Sequence, residues 1–97
     1  MKVLAIGSLD QPLTPEQREQ LMPKEVPDTL RLYLDGKIEQ FWFRQDTPGV
    51  VFLMNVESVE QAQAELGLLP LTATKLMTFN LMPIAPLAPL GLLIQGK

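Results

Sequence analysis

Residues 38–56 constrain this chain more than any other stretch: IEQFWFRQ, then DTPG, then VVFLMNV. Aromatic and β-branched residues fill both arms, and Asp46-Thr47-Pro48-Gly49 supplies a Pro with φ already set and a Gly tolerant of positive φ. The combination predicts a β-hairpin. Closing it across those four residues sets Gln45 opposite Val50, Phe43 opposite Phe52, Phe41 opposite Met54 and Glu39 opposite Val56. Between them Arg44 meets Val51, Trp42 meets Leu53 and Gln40 meets Asn55.

Side chains of a strand alternate, so these pairs sort onto two faces. One carries Phe41, Phe43, Val50, Phe52, Met54 and Val56, an apolar set that calls for helices to cover it. The other is mixed, with Ile38, Gln40, Trp42, Arg44, Val51, Leu53 and Asn55. A slip of one residue would set Phe41 or Phe43 among polar neighbours, which makes the parity firmer than the turn.

Ninety-seven residues suffice for a single domain, 1–97, with one core, and 46% hydrophobic with 20% charged residues is an ordinary globular composition. A net charge of −3 without a Lys/Arg cluster argues against nucleic acid and anionic membrane surfaces as partners. The chain has no Cys and no His, which removes disulfides, thiol catalysis and the commonest metal ligands. Neither a metal nor a cofactor is expected. MKVLAIG at the start reaches Gly7 and Asp10 too soon for a secretory segment, so it reads as the first strand of a cytoplasmic protein.

In chain order, residues 2–8 form that strand. Thr14 then opens a helix as N-cap, with Pro15 at the first helical position and Gln17 at the capping-box position. Pro23 and Pro27 each lack a donor, so the reading is a short helix over 14–21 separated from a second over 24–35. Val26, Leu30, Tyr33 and Leu34 are its apolar stripe, meeting the Phe41/Phe43 face, and Gly36 is its C′ residue. After the hairpin Ser58 caps a further helix carrying Val59, Ala62 and Leu66, and Gly67 stops it. Residues 68–71 read as an apolar loop and 75–82 as the last strand, with Met77, Phe79 and Leu81 on the apolar face and Thr78, Asn80 and Met82 on the mixed one. The fold class is therefore α+β: a ferredoxin-like βαββαβ order, with a four-stranded antiparallel sheet and its helices on one face. Residues 83–97, with Pro83, Pro86 and Pro89 among aliphatics, read as an extended Pro-rich arm lying over a neighbouring subunit.

Helices on one side leave Trp42, Leu53, Val51, Ile38 and Met82 bare on the other, a patch on the order of several hundred Å² that favours self-association as a homodimer or a larger homo-oligomer.

The run LYLDG (32–36), the strands IEQFWFRQ and GVVFLMNV with ESVEQAQ after them, Leu69-Pro70-Leu71 and the closing FNLMPIAPL together resemble muconolactone isomerase-like proteins of the dimeric α+β barrel superfamily. The resemblance covers residues 26–90 and rests on core, turn and cap positions. It implies that the sheet packs against a partner's sheet, that a cavity lies nearby, and that a small anionic lactone or similar acid is the ligand. Pro23, Pro27 and the lack of His depart from what that enzyme leads one to expect, and no catalytic residue transfers by position.

Gln40, Trp42, Arg44, Asn55, Thr78 and Asn80 share the mixed face as a candidate ligand-binding set: a guanidinium for a carboxylate, a flat ring, and amides for orientation. The structural alternative is that Arg44 snorkels beside the turn and the amides satisfy one another. For a proton transfer next to a carbonyl, the available bases are carboxylates, Tyr33 or a lysine. Glu39 points by parity to the helix side near its edge, which leaves Glu25 as the better candidate, although a carboxylate early in a helix usually serves the macrodipole. Two functions of different classes fit: an oligomeric protein that binds or isomerises a small organic acid or lactone, and a non-catalytic assembly domain that uses its sheet face and Pro-rich arm.

Overall fold

A computed structural model describes residues 1–86. Strands β1 (Lys2–Leu9), β2 (Ile38–Phe43), β3 (Gly49–Asn55) and β4 (Met77–Ile84) form one antiparallel sheet in the order β2-β3-β1-β4. Helices α1 (Pro15–Leu34), α2 (Val59–Gly67) and α3 (Pro70–Ala73) complete the ferredoxin-like α+β arrangement. The central pair, β3 and β1, holds the core: Val3, Ala5, Phe52 and Met54 alternate toward α1 and α2, where Leu32, Ala62 and Leu66 meet them. Gly7 lies in the same row as Phe79, whose Cε1 would sit 2.7 Å from a Cβ at that position. A residue with no side chain there lets the Phe79 ring lie across the strand and stack on Phe52, at 5.6 Å between centroids.

Helix α1 runs unbroken through Pro23 and Pro27, where the sequence suggested two helices. The start is as expected: Thr14 caps Gln17 N–H, Gln17 caps Thr14 N–H in return, and Pro15 opens the helix. The prolines are tolerated because they stand four residues apart on one exposed side, where water can satisfy the carbonyls they leave unbonded. The buried side carries Glu25 and Leu32. Val26, Leu30 and Tyr33 are only half-covered and Leu34 is 81% exposed, so the expected stripe overhangs the sheet edge. Tyr33 does meet Phe41, ring to ring at 5.1 Å.

The hairpin forms in a register shifted from the expected one: Phe43 faces Val50, Trp42 faces Val51, Phe41 faces Phe52 and Gln40 faces Leu53. The offset is two residues, so each of these side chains keeps the face assigned to it. Arg44 N–H closes the loop on Gly49 C=O at 3.0 Å. Parity breaks only at Glu39, where a bulge lets Ile38 pair with Met54. Ile38 consequently leaves the mixed face and is 1% exposed in the core. Glu39, expected on the helix side, instead pairs with Lys2. Phe41 and Phe43 lie on the helix side, yet Phe43 is 87% exposed because β2 extends past the helices.

Pro70 and Leu71, expected in a loop over 68–71, instead open α3, and its C-terminus places Lys75 at a positive φ of 63°. Lys75 N–H reaches Thr72 C=O and Leu76 N–H reaches Leu71 C=O, the same double closure that Gly36 and Lys37 make after α1. Strand β4 extends through Pro83 to Ile84, so the start of the expected arm belongs to the sheet. Pro83 fits because β4 is an edge strand. Residues 87–97, most of that arm, lie outside the described residues. Among the described residues no helix is long and apolar enough to cross a membrane.

Candidate functional site

Residues at spacings of three and four along α1 face the same way, and Arg18, Met22, Glu25, Val26, Thr29 and Leu30 make up one such stripe. Opposite them stand Phe41 and Phe43 of β2 and Val50 and Phe52 of β3, with Leu71 of α3 and Met77 of β4 beneath. Between these walls lies a cleft of about 700 Å³, which falls within the roughly 300–1,000 Å³ usual for small-molecule sites.

Two charged side chains border this otherwise apolar cleft. Glu25 is 7% exposed. Its Oε1 accepts the Leu71 N–H at 2.9 Å, while Oε2 has only a 3.4 Å contact from the Thr29 hydroxyl, which bonds chiefly to the Glu25 backbone carbonyl at 2.8 Å. Burial pushes the Glu25 carboxyl above its ordinary pKa, and the Leu71 and Thr29 hydrogen bonds hold it back only in part. Arg18 is exposed beside the cleft and forms no ion pair among the described residues.

Glu25 is therefore a mid-helix residue, and the macrodipole no longer accounts for it. It also anchors α3, whose first free N–H it accepts. The signal that marks it in the sequence is a carboxylate on one helical row with the half-covered Leu21 and the buried Leu32, at spacings of four and seven. Breaking the helix at Pro23 hides that row.

The six residues expected to form a site are spread over the sheet's other face. Trp42, Val51, Ile6 and Asn80 make one cross-strand row, which puts Trp42 and Asn80 on opposite edges, about 14 Å apart at the usual strand spacing. Gln40 lies one row along, beside Leu53, and Asn55 and Thr78 lie toward opposite ends of the face, opposite Lys2 and Ser8. Arg44 is occupied: Nε and Nη2 grip the Asp46 carboxylate at 3.0 and 2.6 Å, and Nη1 donates to Ser8 Oγ at 2.7 Å. That grip holds Asp46 below the usual carboxylate range. Of the six, Trp42 borders the α1 cleft, reaching its rim from the edge strand.

Among the described residues no three His, Cys, Asp or Glu side chains come together as a metal site would require.

Fold and cleft together define the class: a ferredoxin-like α+β domain with a ligand-sized, largely apolar cleft between its long helix and the edge of its sheet. Among the solved structures it matches is that of muconolactone isomerase, a crystal structure at 3.3 Å, with 22% sequence identity, coverage of 91% of this chain and 94% of that one, and a TM-score of 0.73. The chain has the muconolactone isomerase-like fold. No protein-family model matches the sequence, and no curated protein matches it either.

Proposed function

We propose that this chain binds a small organic acid or lactone in the α1 cleft and moves a proton on it with Glu25, an isomerisation of the kind named for its structural neighbour. The observation that carries the reading is a buried carboxyl, its pKa raised by desolvation, bordering an apolar cleft. A base taking a proton from carbon next to a carbonyl works best when its own proton affinity is raised toward neutrality. With Oε1 held by Leu71, Oε2 is the oxygen left to take the proton and return it. Among the described residues Arg18 is the one cationic side chain bordering the cleft, suited to a ligand carboxylate.

The test is deuterium exchange and isomerisation of unsaturated lactone carboxylates, followed by NMR in D₂O. Glu25→Gln keeps an acceptor for Leu71 and removes the base, so turnover should fall by about 10²- to 10⁴-fold with the fold intact by circular dichroism. A Gln variant as active as the parent would leave Glu25 a mere anchor for α3.

A second reading, assembly, is supported by the opposite face. Leu4, Ile6, Val51 and Leu53 form its centre, and Trp42, Met82 and Ile84 are exposed around them. Such a surface fits a second copy packed sheet to sheet, as in a dimeric α+β barrel, and the polar set Gln40, Asn55, Thr78 and Asn80 would then lie at that junction.

A further inference from the structure

Two interior residues of α1, Pro23 and Pro27, have no N–H to give, so the carbonyls of Glu19 and Pro23 lose their helical bonds. Both gaps fall within the span that borders the cleft. The two halves of the helix are fastened very differently. After Pro23, Glu25 is buried and tied to Leu71 at 2.9 Å, Leu32 is buried, and Tyr33 rests on Phe41 at 5.1 Å. Before it, none of residues 15–22 is buried: Gln17, Leu21 and Met22 are half-covered and the others are exposed. A segment with so little buried contact opens at low free-energy cost, and a helix missing two successive bonds bends where they are missing.

We infer that residues 12–22 form a hinged flap over the cleft, with Pro23 and Pro27 as the hinge and Arg18 as the charge the flap carries to an anionic ligand. Pro12, Leu13, Arg18 and Met22 make up one wall of the cleft and move with the flap. Glu25, between the two prolines, lies at the pivot and stays tied to α3. Closure brings the guanidinium over an apolar surface, where its attraction for a carboxylate is less screened than in water. The ligand part of this inference rests on the cleft reading above; the hinge does not.

Hydrogen exchange on the full chain tests the hinge without any ligand. In the parent, backbone amides of residues 19–22 should exchange about tenfold faster than those of 29–32. Pro23→Ala with Pro27→Ala restores both donors and should slow 19–22 by a similar factor while leaving 29–32 unchanged. Equal exchange in the two halves of the parent, or identical exchange in parent and double variant, would overturn the hinge.

Closure is tested with phenylacetate and its uncharged analogue phenylacetamide, titrated by NMR. Phenylacetate should slow exchange at 19–22 and bind roughly five- to tenfold more tightly than the amide, as one charge-assisted hydrogen bond would provide. Arg18→Gln should bring the ratio of the two affinities to about one, whatever it does to phenylacetamide binding itself. Saturation with phenylacetate that leaves exchange at 19–22 untouched overturns closure. If neither probe binds, the cleft reading and closure both fail, while the exchange rates of the empty protein still decide the hinge.

Discussion

Glu25 ties the stability of the chain to pH. Its carboxyl is held above its ordinary pKa, so between the unfolded value near 4.5 and the raised value the folded state holds the extra proton. Stability from this group is therefore fully present at low pH and is lost as pH rises through that window. Glu25→Gln removes the effect, and in thermal melts from pH 4 to 8 the parent should lose stability relative to the variant as pH rises. A parent and variant with parallel profiles would mean that Glu25 titrates normally. Gly7 is constrained by space instead: a methyl at 2.7 Å from the Phe79 ring edge must displace that ring from Phe52. Gly7→Ala is expected to cost about 1–3 kcal/mol in urea unfolding. Lys75 carries the opposite kind of cost, a left-handed backbone conformation at a helix end where α1 uses Gly36. Lys75→Gly should gain about 1 kcal/mol in the same measurement.

At the scale of elements, what could be read from the sequence followed the periodicities. Alternation in IEQFWF and VVFLMN placed the faces of the hairpin, and Thr14, Gln17, Ser58 and Gly36 marked helix ends through chemistry confined to a few neighbouring residues. The register was out by two because the choice between DTPG alone and a longer loop depends on how Arg44 and Asp46 pair, and the sequence does not display that contact. The unbroken α1 was hidden for a similar reason. A proline's penalty is local, but whether a helix survives it depends on which side faces water and on what holds the far end. Glu25 stands out in the sequence as the better candidate base, but its burial does not, since it joins the row of Leu21 and Leu32 only when the helix is continuous. The hinge implies that filling both gaps stabilises the element: the double Pro→Ala variant should melt higher than the parent, each proline in a helix interior costing up to about 3 kcal/mol. An unchanged melting temperature would mean the exposed carbonyls lose nothing to water.

Across the whole molecule, the two sides of the sheet have separate tasks. The helix side holds the core and, where β2 runs beyond it, the cleft; the bare side presents aliphatics ringed by Trp42, Met82 and Ile84. Val51 sits at the middle of that side, between Trp42 and Ile6, so a charge there meets any partner without touching the core. Val51→Lys should shift the chain to a monomer in light scattering at micromolar concentration, with its circular dichroism unchanged and phenylacetate binding to the cleft retained. A parent that is already monomeric would remove self-association from the account and leave the cleft standing. The extra residue at Glu39 acts on the same division of sides, because it sets the reading frame of β2. With it, Ile38 and Phe41 share a side although three positions separate them; were the same residues paired without the bulge, Ile38 would trade the core for the bare surface while everything beyond Gln40 stayed in phase. Length and bulge are thus linked: a chain that lost the bulge would also have to lose one residue between Gly36 and Phe41 to keep the core and the cleft lip on one side.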